Sequence, residues 1–473
     1  MTRAAARTLG VAHATRPQPS DKIVAGAPLY HSWRTTIWGS TMENAEQSAG
    51  DGAVALGDVD FFDPAINDCP YGAYTTLRDD APVWFDERLQ GYVITRHEDV
   101  RSVLADTQRF VNSRSANKRA RSMSPTVLAL YEEKGWVPAP TLAGRDDPNH
   151  REMRALFNHA FRPKRIAALE PAISRLADEL IDDFIDDGTC DWVNQFAVPL
   201  PLVIIGVQMG ADPADIWRIK AWTDAWVQRL GLMQTSEQVI WSTEMEIEAQ
   251  HYFQPIFERL RVQPDDTLLS DLVNTEIPEW GRCLNDEELH AEMMADTFVG
   301  GSETTTNALS GGVRLLIEHP DQWDRLKTDP DTYLPVLVEE VLRLESPVQR
   351  LSRTAAVDVE MHGVTIPAGS TVLIGYAAAN RDERMFEEPA AFDLDRSDAK
   401  KHLTFGFGTH FCMGAPLARR ELLHGFTALA RRIDEMWFLP DTDLTIAPNY
   451  FLRALQELKI GFRANPDQRE AAR

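Results

Sequence analysis

The chain has 473 residues, 44% of them hydrophobic, so it can bury a large core in two or three domains or in one large one. A formal net charge of −24 argues against non-specific nucleic-acid binding, and no run reaches the ~20 uninterrupted apolar residues that span a bilayer. Cys69, Cys190, Cys283 and Cys412 lie too far apart for a disulfide framework or a zinc ribbon, so a reducing cytoplasm is the expected home.

Residues 1–55 carry Arg3, Arg7, Arg16, Lys22 and Arg34 but no apolar core of a secretory signal. Their Pro, Gly, Ala and Thr content reads as a poorly ordered leader, with Met42 a second candidate start. Residues 56–465 read as one mainly α domain with small β-sheets, and 466–473 as a tail. The runs Pro82–Phe85 and Gly91–Thr95, joined by a polar turn, predict a hairpin. From Asp147 to Ile317 the pattern is mostly helical, broken at Pro199, Pro201, Pro213, Pro255 and around Pro264 to Asp266. Within it, Trp222 and Trp226 share a helix face beside Trp217, with Trp241 further on. They are expected to pack a helix pair or line a channel. Asn285 and Glu288 form a capping box that opens a long helix, which His319-Pro320 closes. That helix, roughly 50 Å long, would cross the whole domain. Strand signals return at Val357 to Thr371 and after Leu444, and Ala415 to Arg432 reads as a helix.

The chemistry is densest at Phe405-Gly406-Phe407-Gly408-Thr409-His410-Phe411-Cys412-Met413-Gly414. Its glycines let backbone approach a flat ligand closely. Cys412 precedes a helix N-terminus, where free N–H groups favour thiolate. Thiolate ligates iron and favours O–O cleavage. A buried structural cysteine is one alternative. A zinc site with His402 and His410 is another, but it lacks a local fourth ligand and the usual spacing.

On this loop the sequence resembles the cytochrome P-450 family: Phe405, Gly408, Cys412 and Gly414 fall where the haem-binding signature of that family requires them. Further segments match in order, so the resemblance covers roughly Asp60 to Arg463. It implies the cytochrome P-450 fold, a single large helical domain whose long central helix crosses over a haem b held by Cys412. Glu340-Val341-Leu342-Arg343 places a carboxylate and a guanidinium on one helix face, and with Arg396 it resembles the structural ion network of the family. Gly300-Gly301-Ser302-Glu303-Thr304-Thr305 lies mid-helix, where each glycine costs about 1 kcal/mol against alanine and so implies a need for space. The Thr304 hydroxyl can bond the Gly300 carbonyl and open the helix. Glu303 and Thr304 look like the acid–alcohol pair of the family, implying a catalytic role in supplying protons as dioxygen is reduced. Gly300 would face the haem. His150 and Arg154, with Arg353 and His410, match the positions that anchor haem propionates.

The resemblance puts the substrate pocket between the loop Asn112 to Ala143, the helices around Trp217 to Tyr252, the long helix before Gly300, and the segments at Val348 to Leu351 and Asn449 to Leu452. Candidate contacts are Asp296, Val299, Val348, Leu351 and Tyr450, a mostly apolar set. Asp296 is expected either to hydrogen-bond a polar handle of the substrate or to be a solvated acid. The implied activity inserts one oxygen atom from O2 into an apolar small molecule (a terpenoid, steroid, fatty acid or aromatic) by hydroxylation or demethylation. No G-x-G-x-x-G opens a βαβ unit, so NAD(P)H electrons would arrive through an external ferredoxin and ferredoxin reductase. Arg151, Arg154, Arg162, Lys164 and Arg165 form a candidate docking cluster. A peroxide-driven enzyme and a non-enzymatic haem-thiolate sensor are the alternatives on the same scaffold.

Overall fold

The computed structural model describes residues 54–113 and 123–466. Most of the expected leader, the tail beyond residue 466, and residues 114–122 of the loop Asn112 to Ala143 lie outside the described residues. Among the described residues, the helices framing the site are α1 (Pro125–Lys134), α2 (Asn149–Ala160), α3 (Pro163–Asp182), α4 (Ile216–Leu230), α5 (Ser236–Val262), α6 (Pro330–Glu345) and α7 (Ala415–Arg432). A long helix runs from Asp286 to Glu318. Periodicity explains them. In α3 the buried residues Ile166, Leu169, Ile173, Leu176, Leu180 and Ile181 recur at three- and four-residue steps, the apolar stripe of a core-facing helix. The long helix opens on the expected capping box, Asn285 with Glu288, and stops at His319 before Pro320. Its middle, Met293–Glu303, is wound as a π-helix, which widens the turn that carries Gly300 and Gly301.

The strands make small sheets at the periphery. One has the order β1-β2-β8-β5-β3, built from Val83–Asp86, Gly91–Ile94, Thr371–Gly375, Arg350–Ala355 and Phe110–Val111. The expected hairpin is β1–β2, with Val83 opposite Ile94. A second sheet has the order β4-β10-β9, from Thr189–Asp191, Lys459–Ala464 and Ile433–Phe438. β6 (Val359–Met361) and β7 (Val364–Ile366) form a separate ribbon. Strands β3, β4 and β9 fall outside the expected strand regions, as does β5, which ends two residues before Val357. β3 and β4 are too short to show alternation, and with β9 they gain their partners only through distant segments.

The early and late parts of the chain are stitched together. Asn67 Nδ2 donates to the Asn449 carbonyl at 3.0 Å, and Ile446 N–H donates to Asp68 at 2.7 Å. Between them Arg350, 1% exposed, donates to the Tyr450 carbonyl and the Tyr74 hydroxyl. Its guanidinium lies 4.0 Å from the Phe61 ring and 4.2 Å from the Tyr450 ring, a desolvated cation–π arrangement.

Candidate active site

The cysteine loop is shaped by its glycines and by the start of α7. Gly408 has φ +72°, and a Cβ there would lie 3.2 Å from the Leu104 carbonyl oxygen, so only glycine fits. Cys412 N–H donates to the Phe405 carbonyl at 2.8 Å, closing the loop. Burial pushes the Cys412 thiol pKa up, while the N–H groups of Gly414 and Ala415 and the cations Arg154 and Arg419 pull it back. In the protein alone burial thus outweighs the helix terminus that the sequence suggests would favour thiolate. Arg419 stacks 4.6 Å from the Phe405 ring and is held by Glu339 at 2.7 Å. His402, the third residue weighed for zinc, turns to Glu339 instead, at 3.1 Å. Burial opposes ionisation of Glu339, but the bonds from His402 and Arg419 hold its carboxyl down to about 2.

Beneath this loop lies the ion network. Arg343 donates twice to Glu340, each at 2.7 Å, and Arg396 adds a third bond to Glu340 at 3.0 Å. Neither Glu340 nor Arg343 is exposed. The remaining guanidinium N–H groups reach the carbonyls of Asn380, Pro389, Ala391, Glu387 and Glu388. A buried ion pair is tolerable when every donor is satisfied in this way. Asn380 then accepts from Leu403 N–H at 2.7 Å, which passes the anchorage on toward the cysteine loop.

Four basic side chains converge beside the loop. The His150 and His410 rings are 3.9 Å apart. His150 is 1% exposed, its Nε2 has no hydrogen-bond partner, and its Nδ1 lies 3.7 Å from Asp147. His410 meets Asn112 at 2.7 Å. Burial, then the positive charges of His150 and Arg353, drive the His410 pKa down to about 3. Arg154 reaches the Phe411 carbonyl at 2.6 Å, and Arg353, in the middle of β5, donates to its neighbour Ser352 at 3.0 Å.

On the long helix the two glycines part company. A Cβ on Gly301 would touch Ile205 at 3.4 Å, so this glycine is a packing notch. Gly300 is exposed in mid-helix, and a Cβ there would meet nothing nearer than the Ala295 carbonyl, 3.8 Å away. The Thr304 hydroxyl bonds the Gly300 carbonyl at 3.1 Å, as the spacing predicts. Glu303 turns toward α4. It accepts from Lys220 at 3.1 Å and from Thr223 at 2.8 Å, and Lys220 also pairs with Asp224. Burial pushes the Glu303 carboxyl up, with Lys220 opposing. This cluster borders a small cavity of mixed lining, where Asn194, Thr306, Asn449 and Gln456 stand among Val193, Val227, Leu452 and Leu455. Lys220, Thr223 and Asp224 escape a sequence reading because nothing local ties α4 to the long helix. Glu421 on α7 also escapes it: the residue is 1% exposed, with the Thr305 hydroxyl of the long helix beside its carboxyl.

Val299, Val348 and Leu351 come together in one apolar cluster with Trp226, Val227, Leu230 and Leu452. Tyr450 is placed behind that wall. It is fully buried, its hydroxyl donates to Asp86 at 3.2 Å, and its ring is clamped by Arg350. Asp296 is half-buried, and its Oδ2 accepts from Ala143 N–H at 2.9 Å. Trp222 packs the α4–α5 pair, 5.3 Å from the Tyr252 ring. The cation cluster on α2 and α3 is thinner than its sequence suggests. Arg162 and Arg165 both pair with Asp271, at 3.2 and 2.8 Å, and Arg154 turns inward, leaving Arg151 and Lys164 exposed.

The site thus offers a cysteine just before α7 and, on the long helix, an exposed glycine in a widened turn. Residues 232–434 match the family model described as Cytochrome P450. The chain is 35% identical to a steroid C26-monooxygenase of Mycobacterium tuberculosis over 71% of its own length and 91% of that protein. It is 32% identical to the polyketide biosynthesis cytochrome PksS of Bacillus subtilis over 83% of its length and 95% of that protein. Among solved structures, CYP109E1 from Bacillus megaterium in complex with testosterone superposes with a TM-score of 0.70 at 33% identity, covering 83% of this chain and 99% of that one. CYP109Q5 from Chondromyces apiculatus superposes with a TM-score of 0.74 at 31% identity, covering 87% and 99%. The chain belongs to the cytochrome P-450 family and is a haem-thiolate monooxygenase. No helix among the described residues is long and apolar enough to cross a membrane.

Proposed function

We propose that this enzyme inserts one oxygen atom from O2 into a rigid apolar molecule of steroid type, with electrons from NAD(P)H delivered by a separate ferredoxin and its reductase. The observation that carries the substrate class is the apolar wall of Val299, Val348, Leu351 and Trp226, bordering the open space at Gly300. The names of the similar steroid monooxygenase and of the testosterone complex support it.

The residues present fit a haem. A haem brings two carboxylates, and His150, Arg154, Arg353 and His410 form a basic cluster with a buried imidazole nitrogen still lacking a partner. These four would hold the propionates, while Phe405, Gly408 and Gly414 shape the loop that offers the Cys412 sulfur. When bound, the haem supplies an iron that activates dioxygen. Cys412 would be its protein ligand, and Glu340, Arg343 and Arg396 keep the loop in register below it. Thr304, beside Gly300, would donate protons on the open side of the helix. Glu303 would pass them on from the cavity shared with Lys220 and Asp224, since burial raises its carboxyl and so favours proton uptake there.

The test pairs binding with turnover. A panel of steroids, terpenoids, fatty acids and aromatic acids is titrated for the low-spin to high-spin change. Turnover on NADH with a ferredoxin system is then compared with turnover on peroxide alone. Steroids should bind most tightly and be oxidised only with the electron-transfer system. Turnover on peroxide alone, or binding confined to another class, would overturn the respective part of the proposal.

A further inference from the structure

The long helix carries Glu288, Glu292 and Asp296 at four-residue intervals, so the three carboxylates rise along one face. All three meet the short turn Leu142–Gly144 or its flank. Glu292 accepts the Leu142 N–H at 2.5 Å, Asp296 accepts the Ala143 N–H at 2.9 Å, and Glu288 pairs with Arg145 at 3.2 Å. The residue before the turn, Thr141, does not cap it; its hydroxyl reaches Asp296 instead. The N–H groups that open the turn are therefore satisfied from another part of the chain.

Burying these acids costs free energy. Glu292 is 1% exposed, and its second oxygen has no partner. Burial pushes both carboxyls up, and Asp296 pushes Glu292 further. The turn they hold ends a longer loop. Asp146 closes the neck of that loop by accepting the N–H groups of Asn112 and Ser113, at 2.8 and 3.0 Å. Its helix α1 is docked on α5: Tyr131 donates to Glu246 at 2.8 Å, and Gln250 exchanges two bonds with the Trp136 backbone. The fastening to the long helix falls one helical turn from Gly300.

We propose that Glu292 and Asp296 are positioning residues that set substrate selectivity: by fastening Leu142–Gly144 to the long helix one turn from Gly300, they fix the gap between two walls of the substrate cavity. The inference rests on the reading that Gly300 and the turn Leu142–Gly144 both face that cavity. Removing the latch frees the turn, widens the gap and changes which ligand shapes are held.

Hydrogen exchange on the substrate-free protein reads the latch, and spin-shift titrations with steroids and linear fatty acids of graded length read its consequence. Glu292→Ala and Asp296→Ala should each speed exchange of the peptide holding Leu142 and Ala143 by about 10-fold or more. Both should also reorder the affinities toward bulkier ligands. The double variant should do little more than either single one, because both acids hold one turn. Glu292→Gln, whose amide oxygen can still accept, should stay near wild type. Unchanged exchange in both alanine variants would overturn the latch, and faster exchange with an unchanged rank order would overturn its role in selectivity. So would a loss confined to Asp296→Ala and to ligands bearing a polar group, which would make Asp296 a direct substrate contact. Absence of a thiolate-type carbon monoxide spectrum in the wild type is a separate result, and it would remove the underlying reading of the site.

Discussion

Glu421 sits on the face of α7 that packs against the long helix, and burial pushes its carboxyl up to about 8, against a weaker pull from the Thr305 hydroxyl. Unfolded, the same carboxyl titrates near 4.5. The folded state therefore holds the proton more tightly, and the stability this group contributes is fully present below about pH 4.5 and lost as pH rises through about 8. Glu421→Gln should cancel that loss. The variant should match the wild type near pH 4 and exceed it by up to roughly 4 kcal/mol near pH 8, as read by denaturant unfolding. Glu303→Gln should leave ligand titrations unchanged and lower turnover by about 100-fold, the usual worth of a positioned acid–base group. Equal turnover in that variant would remove Glu303 from the proton path. Residue identity was a fair guide where chemistry is local: Cys412 among its glycines, and Thr304 four residues after Gly300. It said less about Asp296 and Tyr450, because a carboxylate or an aromatic ring near a pocket reads the same whatever faces it, and partners such as Ala143 and Arg350 come from distant segments.

Elements were legible in proportion to their length and periodicity. The long helix announced both its cap and its stop, and the hairpin β1–β2 its two strands. The π-helical winding of Met293–Glu303 was visible only as two glycines that a helix would rather exclude. Contacts between elements were not legible, and α6 depends on them. Its Glu340–Arg343 pair is worth keeping only because Arg396 and the carbonyls of Asn380, Pro389 and Ala391 complete it. Glu340→Ala leaves Arg343 buried without its carboxylate and should cost about 3–5 kcal/mol. Arg343→Lys should rescue little, since an ammonium cannot make the planar fork. Thermal unfolding and the yield of coloured protein would check both. A Glu340→Ala protein of wild-type stability would contradict the buried-pair argument.

At the scale of the whole molecule, the formal charge of −24 would repel an acidic electron donor. Arg151 and Lys164 are the most exposed members of the expected docking cluster, while Arg162 and Arg165 share the single carboxylate of Asp271, which offsets one of their two charges. Arg151→Glu with Lys164→Glu should slow reduction by the proposed ferredoxin donor and flatten its decline with added salt, measured by stopped flow. A rate indifferent to both changes would place docking elsewhere.

The stitching of early to late segments has a consequence for how the protein is made. Phe61, Asn67 and Tyr74 leave the ribosome long before Asn449 and Tyr450, yet they complete their packing only on them and on Arg350. Local helices can form during synthesis, but this seam waits for nearly the full chain, a contact of very high sequence separation. A nascent chain stalled before Ile446 should stay open to protease around Phe61 and Tyr74, and it should close there only after Arg453 has emerged.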